Sequence, residues 1–243
     1  MRNILTIGGR EFKSYLTSPI AYIVTAFFLV WTWFFFILFA NTAAVTVGET
    51  SMGGVFNNMF YDIVIIILMT LLTMRAIAEE RKLGTIELLM TAPVRDSELV
   101  IGKFVGAVGM MLVMLAFTAY FPIMLFVYGD PDPGPIFASY LGIFLLCSCS
   151  LAAGLFASSL TSNQILAAVI GGGIMLGLWF LGSVATTLPT AAGTVVAYFS
   201  PSGYIPQFVR GIVDTRGIVY FLSAIVLFLF LAMRSLENSR WNS

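Results

Sequence analysis

The sequence is dominated by apolar runs, each about as long as a bilayer is thick. They are read at 20–40, 56–78, 104–128, 136–158, 165–188 and 218–233. An α-helix needs about 20 mostly apolar residues to cross roughly 30 Å of hydrocarbon. In lipid every backbone N–H and C=O must find its partner within the protein, and runs of this length meet that demand as helices. Of the residues, 59% are hydrophobic and 10% are charged, whereas a soluble domain averages about 25% charged. The expected fold is therefore an all-α integral membrane protein with six transmembrane helices in a single domain over 1–243.

Charge orients the runs. With the amino terminus inside, ten of the twelve Lys and Arg fall on the inner side, and Arg210 and Arg216 fall outside. The positive-inside rule then places both termini and segment 79–103 in the cytoplasm. Residues 1–19 precede the first run. Over 2–18 they read as an amphipathic interfacial helix, with Ile4, Leu5, Phe12, Tyr15 and Leu16 on one side and Arg2, Arg10 and Lys13 toward water. The plainer alternative is a solvated leader. Pro122 is expected to kink span three. The run Gly171-Gly172-Gly173, with Gly177 one turn on, admits a close neighbour or marks a hinge, and close packing is the better reading.

Segment 189–217 is punctuated by Pro189, Pro201 and Pro206. Thr190–Phe199 is apolar but too short to cross. Gln207–Val213 reads as a second short helix, with Phe208, Val209 and Ile212 against Arg210 and Asp214. These pieces dip part-way into the outer leaflet or form an interfacial loop.

Several chemistries have no residues to carry them. A net charge of zero offers a phosphate backbone nothing to find, so no nucleic-acid partner is expected. There is no His, the commonest general base and transition-metal ligand. No G-x-x-x-x-G-K-[ST] string occurs, because Gly102-Lys103 is followed by Phe104. An enzyme is not expected, and no cofactor or metal is assigned to the chain. Cys147 and Cys149 could hold a soft ion with neighbouring methionines. Residues two apart on a helix point about 200° from each other, however, so packed core thiols are the better reading. Asp62 sits at the outer end of span two, where water reaches it, or forms an intramembrane cation or proton site; the solvated reading is preferred.

Residues 79–93 differ from an ordinary solvated loop. They carry five charges, Glu79, Glu80, Arg81, Lys82 and Glu87. Gly84 breaks the chain, and Thr85 can cap a short helix that stops before Pro93. Glu87 adds negative charge near the positive end of that helix's dipole. Ile86, Leu89 and Met90 form a small apolar face at i, i+3 and i+4. A helix so short is marginal alone in water, so a partner is expected for it.

This string, Glu-Glu-Arg-x-x-Gly-Thr-x-Glu-x-Leu-x-Thr-x-Pro from Glu79 to Pro93, resembles the cytoplasmic loop of ABC-2 type transporter permeases. The resemblance continues through Phe199-Ser200-Pro201, Phe208 to Asp214, Tyr220-Phe221-Leu222 and Arg234-Ser235-Leu236-Glu237. The small six-span permeases of the gliding-motility and nitrous-oxide-reductase-maturation type are the most similar branch. The resemblance implies that Thr85 to Met90, with Leu88 among them, is a coupling helix docking on a separate ABC ATP-binding subunit. Gly84 and Pro93 would bound it, and Glu79, Glu80 and Arg81 would link it to span two. It also implies that residues 1–19 are a connecting helix and 189–217 paired outer re-entrant helices. ATP and Mg would be bound by the partner ATPase, and a second permease copy or a homologous permease would complete the pair. Membrane lipid and an extracytoplasmic protein are further expected partners. The function so implied is that of an exporter permease. The alternatives are a mechanotransmitting subunit that moves no substrate, an ion-coupled secondary transporter, and a purely structural membrane anchor.

Overall fold

The computed structural model describes residues 2–43, 51–85, 95–128 and 131–241. Every regular element among them is helical: α1 (Arg2–Thr17), α2 (Pro19–Ala43), α3 (Ser51–Phe56), α4 (Met59–Thr73), α5 (Ala78–Lys82), α6 (Asp96–Thr118), α7 (Tyr120–Tyr128), α8 (Pro133–Leu160), α9 (Gln164–Ala185), α10 (Thr190–Tyr198), α11 (Ile205–Val209) and α12 (Thr215–Trp241), with a 3-10 turn at Pro201–Gly203. Among the described residues, six helical stretches are long and apolar enough to cross a membrane: Pro19–Phe39, Met59–Lys82, Asp96–Val127, Pro133–Leu160, Gln164–Ala185 and Thr215–Asn238. Local signals start several of them. The Asn58, Asp132 and Asn163 side chains accept from the first free N–H groups of α4, α8 and α9.

Helix α8 is the axis of the bundle, buried along most of its length and packed by α4, α6, α9, α11 and α12. Lipid tails are as apolar as leucine, so hydrophobicity cannot hold helices together here, and close van der Waals contact must. The sequence of α8 provides for this with Cys147, Ser148, Ser150, Ala152, Ala153, Gly154, Ala157 and Ser158, all buried. At Gly154 two neighbours arrive at once. A Cβ there would stand 3.1 Å from the Cα of Thr70 on α4, and one on Gly171 of α9 would stand 3.0 Å from the Gly154 Cα. The glycine run therefore packs closely at Gly171, whereas Gly173 and Gly177 face open space. Cys147 belongs to the core between α2, α4 and α6, and Cys149 to the core between α9, α11 and α12. The two thiols thus point to different sides, and no metal-binding cluster occurs among the described residues.

Helix α1 forms where the amphipathic helix is expected and lays Ile7, Gly8, Glu11 and Phe12 on Gly102, Gly106 and Gly109 of α6, while Leu5 is 70% exposed and Leu16 is also exposed. Two expectations need correction. Asp62 is not reached by water at the outer end of its span. It is 2% exposed, and its Oδ1 has no hydrogen-bond partner among the described residues. The short helix expected over Gln207–Val213 starts earlier, at Ile205, and ends at Val209. Gly211 takes φ +81, and the N–H groups of Gly211 and Ile212 return to the carbonyls of Phe208 and Gln207. Glycine reaches that left-handed conformation without a Cβ penalty, and this pattern ends a helix.

Pro122 acts one turn upstream of itself. Its ring displaces the carbonyl of residue i−4, which is Thr118, and the chain breaks at Ala119 between α6 and α7. The released Thr118 carbonyl accepts a hydrogen bond from the Tyr140 hydroxyl of α8 at 2.9 Å.

Candidate functional site at the loop junction

The polar residues of segment 79–93 enter the structure at the bundle end where α1, α5, the start of α6 and the ends of α8 and α12 meet. Span two does not continue smoothly into this region. Helix α4 ends at Thr73, the chain turns through Met74–Ile77, and α5 begins at Ala78, whereas the sequence reading carried the span unbroken to Ala78. The turn exposes backbone groups in a buried place, and such groups cost about 1–3 kcal/mol each when left unpaired. One side chain satisfies three of them. The Ser158 hydroxyl of α8 accepts from Ile77 N at 3.0 Å and from Ala78 N at 2.9 Å, and donates to the Met74 carbonyl at 2.8 Å. The break and the axis helix are thereby joined.

An ion-pair triad ties α5 sideways. Lys103 of α6, 2% exposed, places its Nζ 2.8 Å from Glu80 Oε1 and 3.5 Å from Glu11 Oε2. The ammonium thus joins α5, α6 and α1. A charge this deeply buried is tolerable only when paired, and here both partners come from other elements. Two more contacts run along the same α1–α6 seam. Asn3 donates to Glu98 at 3.2 Å, and a Cβ on Gly106 would stand 2.7 Å from the Glu11 Cβ.

Beyond α5 the helix ends in a turn at Gly84, whose φ is +69. Leu83 N–H and Gly84 N–H return to the carbonyls of Glu79 and Arg81. Thr85, expected to cap the helix that follows, gives its hydroxyl proton backward to the Glu80 carbonyl at 3.3 Å. Glu79 lies beside this seam. Arg81 keeps Nε and Nη2 buried without a partner among the described residues. Ile86, Glu87, Leu88, Leu89, Met90 and Pro93 lie outside the described residues.

At the opposite end of the bundle, α10, the 3-10 turn and α11 form the segment between spans five and six. Phe208 packs over Gly142 of α8, where a Cβ would meet its own at 2.8 Å. Tyr204 stacks on Tyr220 with ring centroids 4.8 Å apart, and partial burial pushes its hydroxyl pKa up. The Ser200 hydroxyl donates to the Trp179 carbonyl at 2.9 Å, pinning this segment to α9.

The sequence reading brought Glu79, Glu80, Arg81, Gly84 and Thr85 to the junction but did not single out Lys103, Glu11 or Ser158. One signal for the seam was available: Gly102, Gly106 and Gly109 share a face at i, i+4 and i+7, the pattern of a helix that receives another closely.

Six apolar helices among the described residues, the small-residue axis α8 being one of them, make this a multi-pass membrane protein. The model of the ABC-2 family transporter proteins matches residues 45–233, more than three quarters of the chain, and the chain belongs to that family. It is accordingly a membrane permease subunit of an ABC transporter, whose counterpart is an ABC ATP-binding subunit. Among curated proteins there is no significant match.

Proposed function

We propose that the chain is the permease of an ATP-driven exporter, and that the loop 79–93 passes the motion of a separate ATPase to the spans. The observation that carries this reading is the attachment of α5. Ser158 joins the entry of the loop to the axis helix, and Lys103 joins it to α1 and α6. A push on the loop is then delivered to three elements together. Ile86, Leu89 and Met90 would provide apolar docking, with Glu87 and Arg81, whose Nε and Nη2 have no partner among the described residues, providing charge complementarity. ATP and Mg belong to the partner. To drive an equilibrium from 1:99 to 99:1, its ATP-bound form must favour one permease state by about 5.5 kcal/mol. The switch between inward- and outward-facing states is a rigid-body change of the kind packed helices allow. The charge distribution supports cytoplasmic termini; a prokaryotic inner membrane is the setting this reading takes, and a second permease copy completes the complex.

A mechanotransmitting role is the second reading. It is favoured by the outer segment, which is fixed to α8 and α9 yet leaves Tyr198 and Phe199 exposed for an extracytoplasmic partner. Co-expression with a candidate ABC ATP-binding subunit tests the shared premise. Deleting Thr85–Met90 is expected to abolish co-purification, and an intact complex from the deletion would contradict the docking role.

A further inference from the structure

A cavity of about 370 Å³ opens between α1, the start of α2 and α5, beside the ion-pair triad. It lies where three apolar stretches begin or end, at Pro19, Arg75 and Lys103, and so at the level of the phospholipid headgroups. Its walls hold more hydrogen-bonding capacity than the protein uses. Tyr15 is 3% exposed and Ser18 is 6% exposed, both line the cavity, and neither hydroxyl has a partner among the described residues. Ser18 stands directly before α2, where a serine normally gives its oxygen to a first-turn N–H; here it does not.

Charge on the lining is of both signs and partly unspent. Lys103 is committed to Glu11 and Glu80. Arg75 lies over the Tyr15 ring at 5.9 Å, with no ion pair among the described residues, and Arg10 reaches the same space. The same lining holds Glu79 and Glu80, whose Oε2 has no partner among the described residues.

We infer that this cavity binds the phosphoethanolamine headgroup of a membrane phospholipid. The phosphate is held by Arg75, Arg10 and the Tyr15 and Ser18 hydroxyls, and the ammonium faces Glu79 and Glu80. A phosphate alone satisfies the donors and leaves the two carboxylates against it, whereas a zwitterion satisfies both sets. The site stands on the cavity and its idle groups, and it does not depend on the proposed docking of an ATPase.

The test uses the full-length chain in detergent, titrated with short-chain phosphatidylethanolamine, short-chain phosphatidylglycerol and inorganic phosphate. Melting temperature and native mass spectrometry are the readouts. Phosphatidylethanolamine is expected to raise the midpoint and remain bound, at concentrations where phosphatidylglycerol does so weakly and phosphate not at all. Tyr15→Phe with Ser18→Ala should fold at least as stably as wild type, since the groups removed have no partners among the described residues. It should bind the lipid about tenfold or more weakly, as expected for hydroxyl bonds lost to a charged group. Glu79→Gln should keep the fold and lose the preference for ethanolamine over glycerol. Equal binding of inorganic phosphate would overturn the lipid source. Equal binding of phosphatidylglycerol would overturn the role of the carboxylates, and wild-type affinity in the double variant would overturn the site.

Discussion

The ammonium of Lys103 lies 2.8 Å from Glu80 Oε1, and this single buried contact connects the third span to the entry of the polar loop. Glu11 of α1 completes the arrangement at 3.5 Å. Removing one member of a buried ion pair strands the others, at a cost of about 3–5 kcal/mol. Lys103→Ala is therefore expected to lower the melting temperature of the purified chain sharply. Lys103→Met combined with Glu80→Gln should recover part of the loss, because the neutral pair leaves no carboxylate at position 80 stranded without its ammonium. A melting temperature unchanged in Lys103→Ala would show that the triad carries no structural weight.

Ser158 makes a different prediction, because its hydroxyl serves backbone groups of another helix. Ser158→Ala leaves Ile77 N–H and Ala78 N–H without an acceptor, for a loss of about 2–5 kcal/mol. Ser148→Ala is the control, since that hydroxyl only returns to Phe144 within its own helix; it should cost less than about 1 kcal/mol. Comparable losses in the two variants, measured by thermal unfolding in the same detergent, would argue against the Ser158 junction.

The seam between α1 and α6 depends on the missing side chain of Gly106. Gly106→Val has no room against the Glu11 Cβ and the Gly8 carbonyl, so α1 should separate from α6. A cysteine placed at Ile7, which packs on Gly102, would then react with a water-soluble maleimide several-fold faster than in the Gly106 background. Equal labelling rates would place α1 elsewhere.

The broad architecture was legible because a bilayer imposes a length and a polarity that few residues can disguise. The break between α6 and α7 could be anticipated from Pro122, since the missing N–H and the ring clash follow from covalent structure. The end of α11 was equally legible in principle at Gly211, although the apolar pattern of Phe208, Val209 and Ile212 suggested a longer helix. The turn at Met74–Ile77 was not legible. Nothing local forbids a helix there, and the turn is sustained by a serine some eighty residues away. Lys103 was hidden in another way: beside a span it satisfies the positive-inside count equally well in solvent or in a buried pair. Asp62 is the mirror case, a carboxylate near a span end that the three-dimensional packing closes off from water.

The proposed path of force through Glu79–Pro93 is tested most directly by ATP hydrolysis in purified complexes of the permease with its ATPase. Glu87→Lys reverses a charge on the expected docking helix, and Leu89→Asp places a carboxylate on its apolar face. Both are expected to reduce permease-stimulated hydrolysis to the basal rate of the ATPase alone, while the melting temperature of the permease stays at the wild-type value. Wild-type stimulation in both variants would contradict the account.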